Sequence, residues 1–214
     1  MLNLYITRHG ETEWNVEGRM QGWKNSRLTF RGIGNAEALG KRLESVDIRA
    51  IYSSSSQRAV HTAELIRGHR KIDIIADDNL REINLGEWEG KAKDEFSESD
   101  RAGLEAFWNR PHQYKAVTGE DFFQVRERIE AVLDRIMSEN KDCSILIVTH
   151  AVIVKTIMSI FKGIPIEDLW KQPFIHGTSL CAVEIDNVLP HGAPQAGRFT
   201  AKVLMEGDMS HAAE

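Results

Sequence analysis

"SILIVTHAVIVK", Ser144 to Lys155, is the stretch on which the fold turns. Ser144–Thr149 is an unbroken apolar run of strand length, the pattern of a strand covered on both faces. It stops at His150, and the run Ala151–Phe161 that follows has the length of a helix. A buried strand feeding a helix is half of a βαβ unit, and the rest of the chain repeats the alternation. Leu2–Thr7 reads as a first strand, halted by Arg8 and His9, with a long loop over Arg8–Arg27 rich in Gly, Asn and charge. Thr29–Ser45 reads as a helix with Ala36, Leu39, Leu43 and Val46 at helical spacing, Ala50–Ser53 as a short strand, and Ser56–Arg67 as a helix capped by a run of serines. Lys71–Ala76 (strand), Gly119–Glu139 (long amphipathic helix), Ser179–Ile185 and Phe199–Leu204 (strands) complete the pattern. The expectation is an α/β protein, a three-layer α/β/α sandwich around a mostly parallel central sheet. All 214 residues form one domain, and residues 91–116 make an inserted helical lid. The tail after Asp208 is small and polar and is expected to fray.

Composition removes several classes of function. The net charge is -5 and the hydrophobic fraction 42%, enough for a substantial core without the clustered basic face of a nucleic-acid binder. No run approaches the ~18 apolar residues of a membrane span. Cys143 and Cys181 sit in apolar contexts without metal spacing and read as buried reduced thiols. These features together point to a soluble cytoplasmic protein, a monomer or homodimer, with no nucleic-acid or membrane partner.

In an open α/β sheet, ligands bind beyond the carboxyl ends of the strands. Arg8 and His9 stand there after the first strand, Arg58 at the start of the helix after the second, Glu82 after the third, and His150 after Ser144–Thr149. Each alone reads as surface decoration or a structural residue. Two arginines, two histidines and a carboxyl at one edge fit phosphoryl transfer. Arginine presents a planar fork to phosphate oxygens. A neutral histidine can attack phosphorus. A carboxyl with a raised pKa can protonate the departing oxygen, which favours mildly acidic to neutral pH. The backbone N–H groups of Gly10 and Gly22 can help hold an anion. This inventory calls for neither metal nor cofactor.

The blocks "TRHGETEWN", "MQGWKNSRLTFRG", "SSSSQRAVHTAE", "LREINLGEWEG" and "ILIVTHAVIVK" resemble, in order and spacing, the histidine phosphatase superfamily of phosphoglycerate mutase-like proteins. "FWNRPHQY", "GTSLCAVEID" and "EGDMSH" are similar to the broad-specificity bacterial phosphatases of the PhoE type within it. The resemblance implies His9 as the phosphorylated nucleophile, Arg8, Arg58 and His150 as phosphate ligands, and Glu82 as proton donor and later base. It places Asn15 at a phosphate-contacting amide position and Gln21 and Gly22 at a further substrate position. Ala151 departs from it, standing where members commonly carry glycine, and Val152 stands where many mutases carry asparagine. The implied activity is hydrolysis of phosphomonoesters of broad specificity through a phosphohistidine. The alternatives are a cofactor-dependent phosphoglycerate mutase, a pathway-specific phosphatase such as an alpha-ribazole phosphatase, and a non-catalytic phospholigand-binding protein. Leu85 stands where mutases carry a tyrosine, whereas Lys93 falls near a lysine position that mutases use. Leu85, Trp88, Phe107 and Trp108 would form an apolar mouth, though Phe107 and Trp108 suit the core of the lid equally. Trp14 and Trp23 read as packing residues. His61 and His69 read as surface or packing residues, and His176, His191 and His211 show no partner pattern, with His176 alone a candidate for the mouth.

Overall fold

The computed structural model describes residues 1–186 and 199–212; His191 lies outside the described residues. Leu2–Arg8 (β1), Ile48–Ser54 (β2), Asp73–Asp77 (β3), Ser144–Thr149 (β4), Leu180–Asp186 (β5) and Thr200–Asp208 (β6) form one sheet in the order β3-β2-β4-β1-β5-β6. The first four in that order pair in parallel, while β5 runs antiparallel to both β1 and β6. The mostly parallel sheet expected from the sequence is therefore present.

Helices cover both faces, and the strand sequences show why. Along β4, Ile145 and Ile147 point into one apolar cluster and Leu146 and Val148 into another, all four fully buried. The second cluster is closed by Phe30–Arg42 (α2) and Gln57–Arg67 (α3), through Ala36, Leu39, Ala59 and Ala63. The first is closed by Phe122–Glu139 (which becomes α5) and Ala151–Lys162 (α6), through Ile129, Leu133, Ile153 and Ile157. Full burial of each such side chain contributes about 1.5–3 kcal/mol, so the central strand alone commits the chain to two helical layers.

Residues 91–116 hold short 3-10 turns and one helix, Arg101–Asn109 (α4). Phe107 of α4 is 2% exposed; it meets Tyr114 within the segment, and its contacts with the rings of Phe122 and Trp170 bind the segment to the body of the protein.

The structure corrects several boundaries. The loop after β1 contains a helical turn, Glu13–Val16 (α1), closed by a capping box between Thr12 and Asn15. The long helix begins at Phe122, not Gly119, because Asp121 accepts from the N–H groups of Phe123 and Gln124. Strand β3 is Asp73–Asp77, an exposed edge where Ile72, Ile74 and Ile75 give no alternation to fix its start. Strand β6 continues past Leu204 to Asp208, where it still pairs with Leu180. Ser56 sits at the N-cap of α3 without a side-chain capping bond, and Asn25 Oδ1 instead accepts from the Arg58 N–H at 3.1 Å. Both cysteines are free; Cys181 is buried, but Cys143 is only partly so. Among the described residues no helix is long and apolar enough to cross a membrane.

Candidate active site

Register brings the site together. Arg8 of β1 lies opposite Thr149 of β4, so His9 and His150 leave the sheet side by side. The His9 N–H donates to Thr149 O at 2.8 Å, and the two rings meet edge-on with centroids 5.1 Å apart. On the other side of β4, β2 ends at Ser54, and α3 then carries Arg58 toward both histidines.

Arg58 is 2% exposed, and all five of its N–H donors are engaged. Nη2 donates to Gly22 O at 2.7 Å and to His150 Nδ1 at 3.1 Å; Nη1 donates to Lys24 O at 2.6 Å and, at 3.4 Å, to Asn25 Oδ1. Nε donates to His9 Nε2 at 3.2 Å. A guanidinium only donates, so His9 Nε2 and His150 Nδ1 must each present a lone pair. His9 then carries its proton on Nδ1, 2.8 Å from Gly10 O, and His150 on Nε2, 2.8 Å from Ser54 Oγ. Burial first, then the charges of Arg58 and its neighbours, hold both imidazoles well below their ordinary 6.5. Burial likewise lowers Arg58 to about 10, which leaves it charged at neutral pH.

The loop between α1 and α2 is built to hold that guanidinium. The Glu89 carboxylate accepts from the N–H groups of Trp23 and Lys24, and this fixes the turn that presents the Gly22 and Lys24 carbonyls. Gly22 has φ +52, and a Cβ there would meet Glu89 Oε1 at 2.3 Å, so the turn requires glycine. Thr62, one helical turn past Arg58, donates to Arg58 O at 2.7 Å and accepts from the Gly10 N–H at 3.0 Å. It ties the arginine's backbone to the residue that orients His9.

Arg8 donates through Nη1 to Ile175 O at 2.9 Å, while its buried Nε has no partner among the described residues. Glu82 accepts through Oε1 from its neighbour Ile83 N–H at 3.0 Å and through Oε2 from Val152 N–H at 3.4 Å. Burial raises its carboxyl pKa above the ordinary 4.5, against the lowering pull of the Ile83 N–H and of Arg58 and Arg8.

Arg8, His9, Arg58 and Glu82 line one cavity of about 510 Å³ together with Asn15, Gln21, Gly22 and Ala151. His150 lies a layer deeper, fully buried behind Arg58. The Asn15 carbonyl oxygen accepts from Thr12, so its amide nitrogen is the end left for a ligand. The Gln21 side chain is held by Thr12 and Ser26, which makes it a brace of the loop. Leu85, Phe107 and Trp108 do line the cavity. Phe107 is thus both core and wall, and Trp108, 50% exposed, forms the rim. Trp88 does not line it: its Nε1 donates to Asp100 and its ring packs on Phe96, Phe107 and Tyr114. Met20, Trp170 and Phe174 complete the wall, with His176 beside Phe174. Trp23 does more than pack, because its Nε1 donates to Glu82 O at 2.8 Å while Arg81 stacks on its ring. His61 and His69 are exposed. His211 meets Arg42 and Thr178.

Two arginine forks, two neutral histidines and a carboxyl of raised pKa lie together beside a partly apolar cavity, an arrangement able to hold a tetrahedral oxyanion. The chain matches the histidine phosphatase superfamily (branch 1) over residues 4–191, and it belongs to that family. It is 46% identical to Bacillus stearothermophilus YhfR, a solved structure, with a TM-score of 0.91 and the full length of both chains covered. It is similar to the alpha-ribazole phosphatase of Shigella flexneri, at 25% identity, TM-score 0.84 and 99% of each chain. A curated relative, the probable phosphoglycerate mutase GpmB of Salmonella arizonae, is 33% identical over 77% of each chain. The family and these relatives support an enzyme of phosphatase or mutase type acting on small phosphorylated substrates.

Proposed function

We propose that the protein is a phosphomonoesterase of broad specificity that works without a metal through a phosphohistidine on His9. The observation that carries this reading is the Arg58 edge formed by Nε and Nη2, which is aimed at two histidine lone pairs. That edge is the side-on fork that suits two phosphate oxygens. An incoming phosphate takes over those two donors and frees His9 Nε2 to attack phosphorus in line. The three remaining Arg58 donors stay on Gly22, Lys24 and Asn25 and keep the fork rigid. The buried, unpartnered Nε of Arg8 supplies a further donor to the same anion. Glu82 protonates the departing alkoxide, then as carboxylate takes a proton from the water that releases phosphate from His9.

Hydrolysis is favoured over phosphoglycerate isomerisation by the charges around the cavity. A carboxylate-bearing phosphoglycerate needs a second free cation. Beyond Arg8 and Arg58 the described lining residues offer Arg19, which is already paired with Glu17 and Glu95 at 2.7 Å each. Lys93 is exposed and does not line the cavity, and the wall there is Leu85, Trp108, Trp170 and Phe174. An apolar, aromatic wall selects by contact area and not by a fixed set of polar partners, which suits mixed substrates over a dedicated alpha-ribazole phosphatase.

The test is a panel of phosphomonoesters, 3-phosphoglycerate included, assayed with a chelator for both phosphate release and isomerisation, alongside His9→Ala. Release from several esters, with loss of turnover and of an acid-labile phosphoprotein in the variant, is expected. Dominant isomerisation, or dependence on added divalent metal, would overturn the proposal.

A further inference from the structure

Ser54 is fully buried at the end of β2, inside a run of four serines, and its hydroxyl meets His150 Nε2 at 2.8 Å. The same oxygen accepts from the Ser56 N–H at 3.2 Å. A serine oxygen has two acceptor sites, and these two N–H groups fill them. Arg58 Nη2 can only donate to His150 Nδ1, so His150 has its lone pair on Nδ1 and its proton on Nε2, and Ser54 Oγ accepts that proton. In the free enzyme that lone pair is satisfied by Arg58 Nη2. Once phosphate claims the Arg58 edge, His150 Nδ1 faces a phosphate oxygen, lone pair against lone pair, unless a proton lies between them.

We propose that Ser54 is a positioning residue that holds His150 ready to take that proton from the phosphate itself. This rests on the phosphomonoesterase reading of the site. A phosphate ester binds as its monoanion. Its P–O–H bond breaks with the electron pair remaining on oxygen, and the proton forms an N–H bond at His150 Nδ1. The ester becomes the dianion and His150 the imidazolium, with Nε2–H still donating to Ser54 Oγ. The groups around the ring explain the timing. Arg58 from α3 is in contact, His9 lies edge-on, Arg8 stands on β1 and Arg128 on α5, and every one of these is cationic or neutral. An imidazolium is disfavoured in that company until a dianion arrives to offset it.

The experiment is nitrogen NMR of histidine-labelled protein titrated with inorganic phosphate, for wild type and Ser54→Ala, together with kcat/KM on an aryl phosphate. Wild-type His150 should show Nε2–H and a bare Nδ1 without phosphate, and both nitrogens protonated at saturation. Ser54→Ala should keep Nε2–H without phosphate, because Arg58 still donates to Nδ1, but should lose the doubly protonated state at saturation and show a kcat/KM lower by about ten- to a hundred-fold, the range for losing a hydrogen bond to a charged group. Wild-type His150 that carries Nδ1–H when free, or that stays neutral in saturating phosphate, overturns the proposal even if the variant does not fold. So does a folded Ser54→Ala whose His150 is still doubly protonated at saturation and whose kcat/KM is that of wild type. Protonation of His150 by phosphate in a protein that hydrolyses no ester would leave the Ser54 assignment standing and sink the phosphatase reading instead.

Discussion

Arg58 Nε lies 3.2 Å from His9 Nε2, so a buried cation caps the lone pair of the imidazole we propose as nucleophile. The contact orients the imidazole, keeps it neutral and marks where a phosphate oxygen will sit. It also makes a sharp demand on residue type.

Arg58→Lys keeps the charge but loses the fork. Lysine has three donors on one nitrogen and cannot serve Gly22, Lys24 and Asn25 while also presenting a two-pronged edge. We expect kcat/KM to fall at least a hundred-fold and thermal stabilisation by inorganic phosphate to disappear. Steady-state kinetics and a thermal melt with and without phosphate check both. A variant within three-fold of wild type would show that charge alone suffices.

The pH profile follows from two opposite shifts. His9 and His150 are pushed well below 6.5, so both remain neutral through the mildly acidic range and the acid limb lies far below the ordinary histidine value. Glu82 is pushed above 4.5, so its acid form persists into mildly acidic solution and is lost as pH rises through the raised pKa. The rate of the first step is therefore high at mildly acidic pH and declines on the alkaline side. Glu82→Gln should flatten that decline. It should cost about 10²–10⁴-fold in kcat/KM, which reports the step up to alcohol release, on alkyl phosphates, where the leaving oxygen needs a proton, and much less on a nitrophenyl ester. Equal losses on the two substrates would remove Glu82 from the acid role. Stability moves opposite to the histidines' charging. Between 6.5 and their depressed native values the unfolded chain binds more protons, so stability present above 6.5 is lost as pH falls.

Thr62 supports chemistry that it never touches. Its hydroxyl links Arg58 O to the Gly10 N–H, and Gly10 O in turn holds His9 Nδ1–H. Thr62→Val keeps the shape and removes both bonds in a fully buried place, at a cost of about 1–3 kcal/mol for the donor left unpaired. A lower melting temperature together with a kcat drop is expected, with KM for aryl phosphate nearly unchanged because the phosphate ligands remain. A KM change without a kcat change would point instead to a displaced Arg58.

The charged groups of this site were legible because they are side chains at strand ends, and strand ends are readable from where apolar runs stop. Arg8 and His9 after Leu2–Thr7, and His150 after Ser144–Thr149, are of that kind. What holds them was not legible. The Gly22, Lys24 and Ile175 carbonyls are backbone atoms and carry no signature in a sequence. Ser54 hides among identical neighbours, and a serine run before a helix reads as its cap. The cavity wall was half visible: Phe107 and Trp108 sit in an aromatic patch, but Trp170 and Phe174 reach the same wall from a segment with no apolar period. Trp88 was misplaced because Asp100, twelve residues on, draws its indole N–H inward.

Lys155 shows how far such support extends. It lies on α6 one turn beyond Ala151, is 8% exposed, and donates to the carbonyls of Lys171 and Pro173. The segment it fastens supplies Phe174 and His176 to the cavity and Ile175 O to Arg8. Lys155→Met retains the aliphatic stem and strands two carbonyls, so the segment should loosen and Arg8 lose its fixed direction. On the proposed role Arg8 would hold phosphate in both the ground and transition states, so its loss of aim should raise KM about ten-fold and leave kcat within a few-fold. Hydrogen exchange should rise in residues 171–177 above the rest of the chain. Unchanged exchange there, or a loss confined to kcat, would show that Lys155 serves the helix and not the phosphate.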